Sequence, residues 1–61
     1  MKNMFTLDHF KDEIDRAYDV LGRDRGELQN ETDIEAWYAD GLISRNGRDE
    51  LIRYNKYFFL N

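Results

Sequence analysis

Between residues 7 and 21 the apolar side chains fall at Leu7, Phe10, Ile14, Ala17, Tyr18 and Leu21, and Gly22 follows. At 100° per residue these six positions share an arc of about 100°, so the segment can bury them together only as an α-helix. Thr6 stands where a cap belongs, Phe5 before it is spaced to pack on Phe10 as a hydrophobic staple, and Gly22 supplies a stop. The spacing predicts a helix over 7–21.

Such a helix needs a partner for its apolar face, and the chain has only 61 residues in which to provide one. There is no Cys, and His9 is the single His, so neither a disulfide nor a four-ligand zinc site can staple the fold. Surface scaling for 7.4 kDa implies about 6,500 Å² buried on folding. Its apolar share contributes about 90 kcal/mol, and ordering the chain at about 1.5 kcal/mol per residue offsets nearly all of it. A second copy or a partner would therefore matter.

The remaining sequence has no Pro and only four Gly, which favours further helices. In "TDIEAWYADG", Thr32 and Glu35 have capping-box spacing, Ile34, Trp37 and Tyr38 share one side, and Gly41 can end a helix over 32–40. Ser44 can cap a third helix, carried by "GRDELIRYNKYFFL" to about residue 59. The stretch 23–31 reads as a loop or a poor helical turn, because Asp24 with Glu27 fits a capping box while Gly26 weakens a helix.

The predicted fold class is therefore all-α. It is one domain over 1–61, a small three-helix bundle or a helical hairpin plus a short helix, with dimerisation as one way to complete it. The expected core is Phe5, Phe10, Ile14, Leu21, Ile34, Trp37, Leu42, Leu51, Tyr54 and Phe58.

The final residues carry more apolar surface than a monomer needs. On a helical wheel Leu51, Tyr54 and Phe58 form one stripe, Ile52 and Phe59 a second about 100° away, and Asn55 lies between them. Three readings stay open. Steep helix packing could enclose both stripes; Ile52, Tyr57, Phe59 and Leu60 could form a seam for self-association or hydrophobic docking; or "YFFL" could be a strand.

Charge divides the chain. Residues 1–40 hold eleven Asp/Glu against five Lys/Arg, whereas 41–61 hold two against four, for a net charge of -4. So acidic a head argues against direct nucleic-acid binding. Asp8, Asp12, Asp15 and Asp19 recur at steps of four, three and four, within an arc of about 60° opposite the apolar stripe. Like charges so placed repel by a few tenths of a kcal/mol each. One reading is a solvated face softened by Lys11 and Arg16; the other is a docking strip for a basic protein surface. Carboxylates about 5–6 Å apart also resemble a nucleic-acid backbone, which suggests a mimic that blocks an enzyme's basic channel.

A helix-turn-helix DNA reader is the counter-hypothesis, with Arg45, Arg48, Arg53 and Lys56 on its second helix. Gly41, Gly47, Asp49 and Glu50 weigh against it, the last two because they would face phosphates.

Catalytic templates fail on residue supply. There is no Cys nucleophile, no G-x-S-x-G elbow and no Walker loop, and Ser44 is the single Ser. His9 with Asp12 and Glu13 lacks the second half of a metal site, and Asp49 with Glu50 reads as first-turn charge complementing a helix dipole. We expect no enzyme, cofactor or metal. No apolar run approaches the ~18 residues of a membrane span, and no signal-peptide core is present, so a cytoplasmic protein is expected. The sequence points to a small acidic helical protein that binds another protein as a regulator or inhibitor, with a homodimer seam at its tail. Its economy suits a phage or mobile-element accessory protein.

Overall fold

The computed structural model describes residues 6–60. α1 (Leu7–Leu21) begins as the spacing predicts, with the Thr6 hydroxyl accepting the His9 N–H at 3.3 Å and so filling one orphan donor of the first turn. Phe10, Ile14 and Tyr18 form its buried edge. The expected staple depends on Phe5, which lies outside the described residues.

Gly22 ends α1 with φ of 86°, a conformation that a side chain would strain, and its N–H donates to the Tyr18 carbonyl at 3.0 Å. The same residue opens α2 (Arg23–Ala39), where its carbonyl accepts the Gly26 N–H at 2.9 Å. One residue thus joins two antiparallel helices.

This corrects the expectation of a loop or weak turn over 23–31 followed by a helix over 32–40. α2 runs unbroken for 17 residues. Thr32, read from the sequence as a cap, sits in mid-helix and donates its hydroxyl to the Leu28 carbonyl at 3.2 Å. Gly26 gives the physical reason. A Cβ there would stand 2.8 Å from the Tyr18 ring and 3.1 Å from the Tyr18 Cα, so the glycine is what lets the two helices touch. The propensity cost of about 1 kcal/mol is offset by that packing.

α2 closes in a Schellman turn, with Gly41 N–H bonded to the Tyr38 carbonyl and Leu42 N–H to the Trp37 carbonyl. Ser44 then caps α3 (Arg45–Lys56), its hydroxyl accepting the Gly47 N–H at 3.1 Å. α3 is shorter than expected. Tyr57 ends it, and Phe58–Leu60 wind into a single 3-10 turn, which disposes of the strand reading for "YFFL".

The three helices pack on one another, with no strand among the described residues. The core is Phe10, Ile14, Tyr18, Ile34, Ile43 and Leu51, with Leu7, Trp37, Ile52, Tyr54 and Phe58 packed around it. Two expected core residues are instead exposed: Leu21 at 37% in the last turn of α1, and Leu42 at 44% in the 40–44 connection, where Ile43 takes the inward position.

The core also holds two polar side chains, Asn30 and Asn55. Asn30 Nδ2 donates to the Ile14 carbonyl and to Asn55 Oδ1, at 3.3 and 3.0 Å, while Asn55 Nδ2 donates to the Glu27 carbonyl at 3.2 Å. Tyr18 completes the network from α1. Three helices are thereby tied through their buried faces by directional bonds, whereas apolar contacts alone would permit sliding.

Candidate docking site

The acidic strip of α1 survives in the structure, but unevenly. Asp8, Asp12 and Asp19 are exposed and, among the described residues, hold no ion pair or side-chain hydrogen bond. Asp15 is half-buried and accepts the Tyr54 hydroxyl from α3 at 2.8 Å. Lys11, one of the two cations expected to soften the strip, is drawn away to α3, where it pairs with Glu50 at 3.0 Å and lies 5.2 Å from the Tyr54 ring centre. Arg16 lines a different cleft, with Ala17, Val20 and Leu21 between α1 and α2. The strip is therefore less neutralised than its sequence neighbours suggested.

The tail residues divide into separate places. Ile52 is half-buried in the groove between α2 and α3, beside Glu31 and Glu35. Tyr57, Phe59 and Leu60 lie beyond the end of α3 and are 43%, 47% and 66% exposed. Ile52 and Phe59 do not share a helix face, because α3 stops at Lys56.

The 3-10 turn lays the closing aromatics across α1. Phe58 stacks on Tyr18 with ring centres 4.6 Å apart and planes 20° apart, and Phe59 meets both rings edgewise at 4.9 Å. Arg23, at the start of α2, stands 5.1 Å over the Phe59 ring. Ring pairs of this kind add about 0.5–1.5 kcal/mol beyond the area they bury.

Two clefts flank Phe58. One, of about 300 Å³, is lined by Asp15, Tyr18, Asp19, Phe58 and Phe59. The other, of about 460 Å³, is lined by Lys11, Glu50, Arg53, Tyr54, Tyr57 and Phe58. The Tyr54 to Asp15 hydrogen bond runs where they adjoin. The structure thus brings the end of the acidic strip and part of the tail together, two surfaces that the sequence left unconnected. Tyr18 and Phe58 escape a sequence reading as site residues because the helical wheel assigns both to apolar stripes that face the core. The available signal is that Tyr18 shares α1 with Asp15 and Asp19, about 60° from the former.

Local electrostatics follow from this packing. Burial, then the bond to Asp15 and the charges of Asp15 and Asp12, push the Tyr54 hydroxyl up to about 12. Burial and the charge of Glu27 raise Tyr18 above its ordinary value. Both phenols therefore stay protonated, as hydrogen-bond donors, at neutral pH.

The cations assigned to a DNA-reading helix are partly occupied. Arg48 forks onto Glu35 of α2, with bonds of 2.7 and 3.1 Å, and pairs with Asp49 at 3.2 Å. Asp49 and Glu50 lie beyond the first turn of α3, so they serve these pairs and not the helix dipole. Among the described residues no three His, Asp or Glu side chains converge as a metal site requires, and no helix is long and apolar enough to cross a membrane.

No protein family, curated protein or solved structure matches the chain.

Proposed function

We propose that this protein is not an enzyme and acts by binding a partner protein with a basic surface, as a regulator or inhibitor. The observation that carries this reading is the shared cleft of Asp15, Asp19, Tyr18, Phe58 and Phe59, where unneutralised carboxylates adjoin exposed aromatic surface. Interfaces favour that combination: aromatic anchors supply energy and charge sets partner choice and encounter rate.

The nucleic-acid mimic has weaker support, since Asp15 is turned to Tyr54 and interrupts the regular spacing of the strip. The DNA-reading alternative loses Arg48 to Glu35 and Asp49. Self-association through Tyr57, Phe59 and Leu60 is compatible with partner binding, and their exposure supports it.

The test is capture of host proteins by the immobilised chain, with Asp12→Asn/Asp19→Asn and Phe59→Ser variants in parallel, followed by reconstitution with the purified candidate. A basic protein that binds the parent, and binds either variant more weakly, supports the reading. Equal binding to all three chains counts against it.

A further inference from the structure

We propose that the cleft between α1 and the closing aromatic turn seats one lysine or arginine side chain of the partner, with Asp19 and Asp15 meeting its cationic head and Tyr18, Phe58 and Phe59 receiving its aliphatic stem. This rests on the protein-binding reading above and specifies what enters its site.

The argument is one of matched chemistry. Lysine and arginine are amphipathic: three or four methylenes favour apolar surface while the head group requires water or a carboxylate. The cleft offers both at once, with three aromatic rings and two acidic side chains around about 300 Å³. Asp19 has no partner among the described residues. Asp15 spends only Oδ1 on Tyr54, and that bond fixes its carboxylate in place before any ligand arrives.

The neighbouring clefts fit such a guest less well. The one beyond Phe58 already carries Lys11 and Arg53 against the single carboxylate of Glu50, which Lys11 occupies, so it disfavours a further cation. The groove of Glu31, Glu35 and Ile52 has carboxylates but no aromatic lining, and Glu35 is held by Arg48. The cleft between α1 and α2 has Glu13 and Asp33 but also its own Arg16, and no aromatic ring lines it. Within the molecule itself, Arg23 over Phe59 shows that the tail's aromatic surface accepts a guanidinium on its face.

The experiment is a ¹⁵N NMR titration of the full chain with an acetylated, amidated Gly-Gly-Lys-Gly-Gly peptide, its norleucine analogue and a lysine decamer. The lysine peptide should shift the amides of Asp19, Phe58 and Phe59 saturably, and the norleucine analogue should bind more weakly. Asp19→Asn should weaken the lysine peptide by about threefold, the order of an exposed ion pair, while Asp40→Asn changes nothing. Asp19 is exposed and makes no bond that folding needs, so its variant stays comparable to the parent.

Shifts confined to Asp8 and Asp12, with none at Phe58 and Phe59, would overturn the cleft while leaving the acidic face as a docking surface. Equal binding of the norleucine analogue would overturn the need for a cation. Failure of both the peptide and the decamer to bind would remove the basic-partner reading together with this one. Concentration-dependent shifts at residues 57–60 that block the peptide would show that a second copy occupies the cleft instead.

Discussion

The Tyr18 hydroxyl on α1 is shared between both carbonyl oxygens of Asn55 on α3, the side-chain oxygen at 2.5 Å and the main-chain oxygen at 2.7 Å. Asn55 in turn binds the Glu27 carbonyl of α2 and receives Asn30 Nδ2, so one side chain holds groups from two other helices. Asn30 is less well served. Its Nδ2 has two acceptors, but its buried Oδ1 has no partner, and reversing the amide would set that oxygen against two other oxygens.

The two asparagines should therefore respond oppositely to the same change. Asn55→Leu removes the side-chain acceptor of Tyr18 and Asn30 and the donor to the Glu27 carbonyl, leaving Tyr18 only the main-chain oxygen and Asn30 only the Ile14 carbonyl, and we expect a loss of about 1–3 kcal/mol. Asn30→Leu removes the unpaired oxygen and leaves Asn55 Oδ1 still bonded to Tyr18, so stability should change by less than about 1 kcal/mol or rise. Urea unfolding followed by Trp37 fluorescence reads both; equal losses would contradict the network as described.

Gly26→Ala tests the crossing of α1 and α2. Helix propensity alone favours the alanine by about 1 kcal/mol. Its Cβ would stand 3.1 Å from the Tyr18 Cα, which is backbone and cannot rotate aside, so we expect a net loss of about 1–3 kcal/mol. A thermal melt showing stabilisation would mean that the helices can separate without cost.

Alkaline titration tests the buried phenols. Tyr54 ionises at about 12 in the folded chain against an ordinary 10.0, so between those values the folded state keeps a proton that the unfolded state has lost. Stability should be full below pH ~10 and fall as pH rises toward about 12. Tyr18, raised in the same direction, adds to the fall. Asp15→Asn should bring Tyr54 part of the way back, because burial, the first cause, remains. Ultraviolet absorbance of the tyrosinates follows each step, and an unchanged Tyr54 titration would remove the Asp15 contribution.

The closing turn should matter in order of depth. Phe58 is half-buried on Tyr18 and Tyr54, so Phe58→Ala should cost about 2 kcal/mol, below the 3–5 typical of a fully buried Phe. Phe59→Ala should cost less, and Leu60→Ala, at 66% exposure, little. The reverse order would mean that the turn is not docked on α1.

Sedimentation equilibrium separates the tail's own packing from self-association. A seam through Tyr57, Phe59 and Leu60 predicts a dimer that persists in high salt and becomes a folded monomer in Phe59→Asp. A parent that is monomeric at millimolar concentration would reject the seam.

Several elements are legible in the order of residues alone because they are local. The apolar period of α1, the caps at Thr6 and Ser44, and the stops at Gly22 and Gly41 depend on residues within one or two turns. The first half of α2 is not legible. Its buried face is Gly26, Asn30 and Ile34, of which only one is apolar, while Leu28 points outward at 65% exposure. No hydrophobic period marks such a helix.

The sequence by itself determined an all-α chain, its acidic strip and its supply of tail aromatics, since propensity, capping and charge spacing act over short range. Only tertiary structure decided that Gly26 is a contact, that Asn30 and Asn55 belong inside, and that Asp15 and Asp19 adjoin Phe58 and Phe59. Those outcomes turn on how closely α1 and α2 approach and where α3 stops. They are settled when three helices compete for one small interior, which no single helix's pattern encodes.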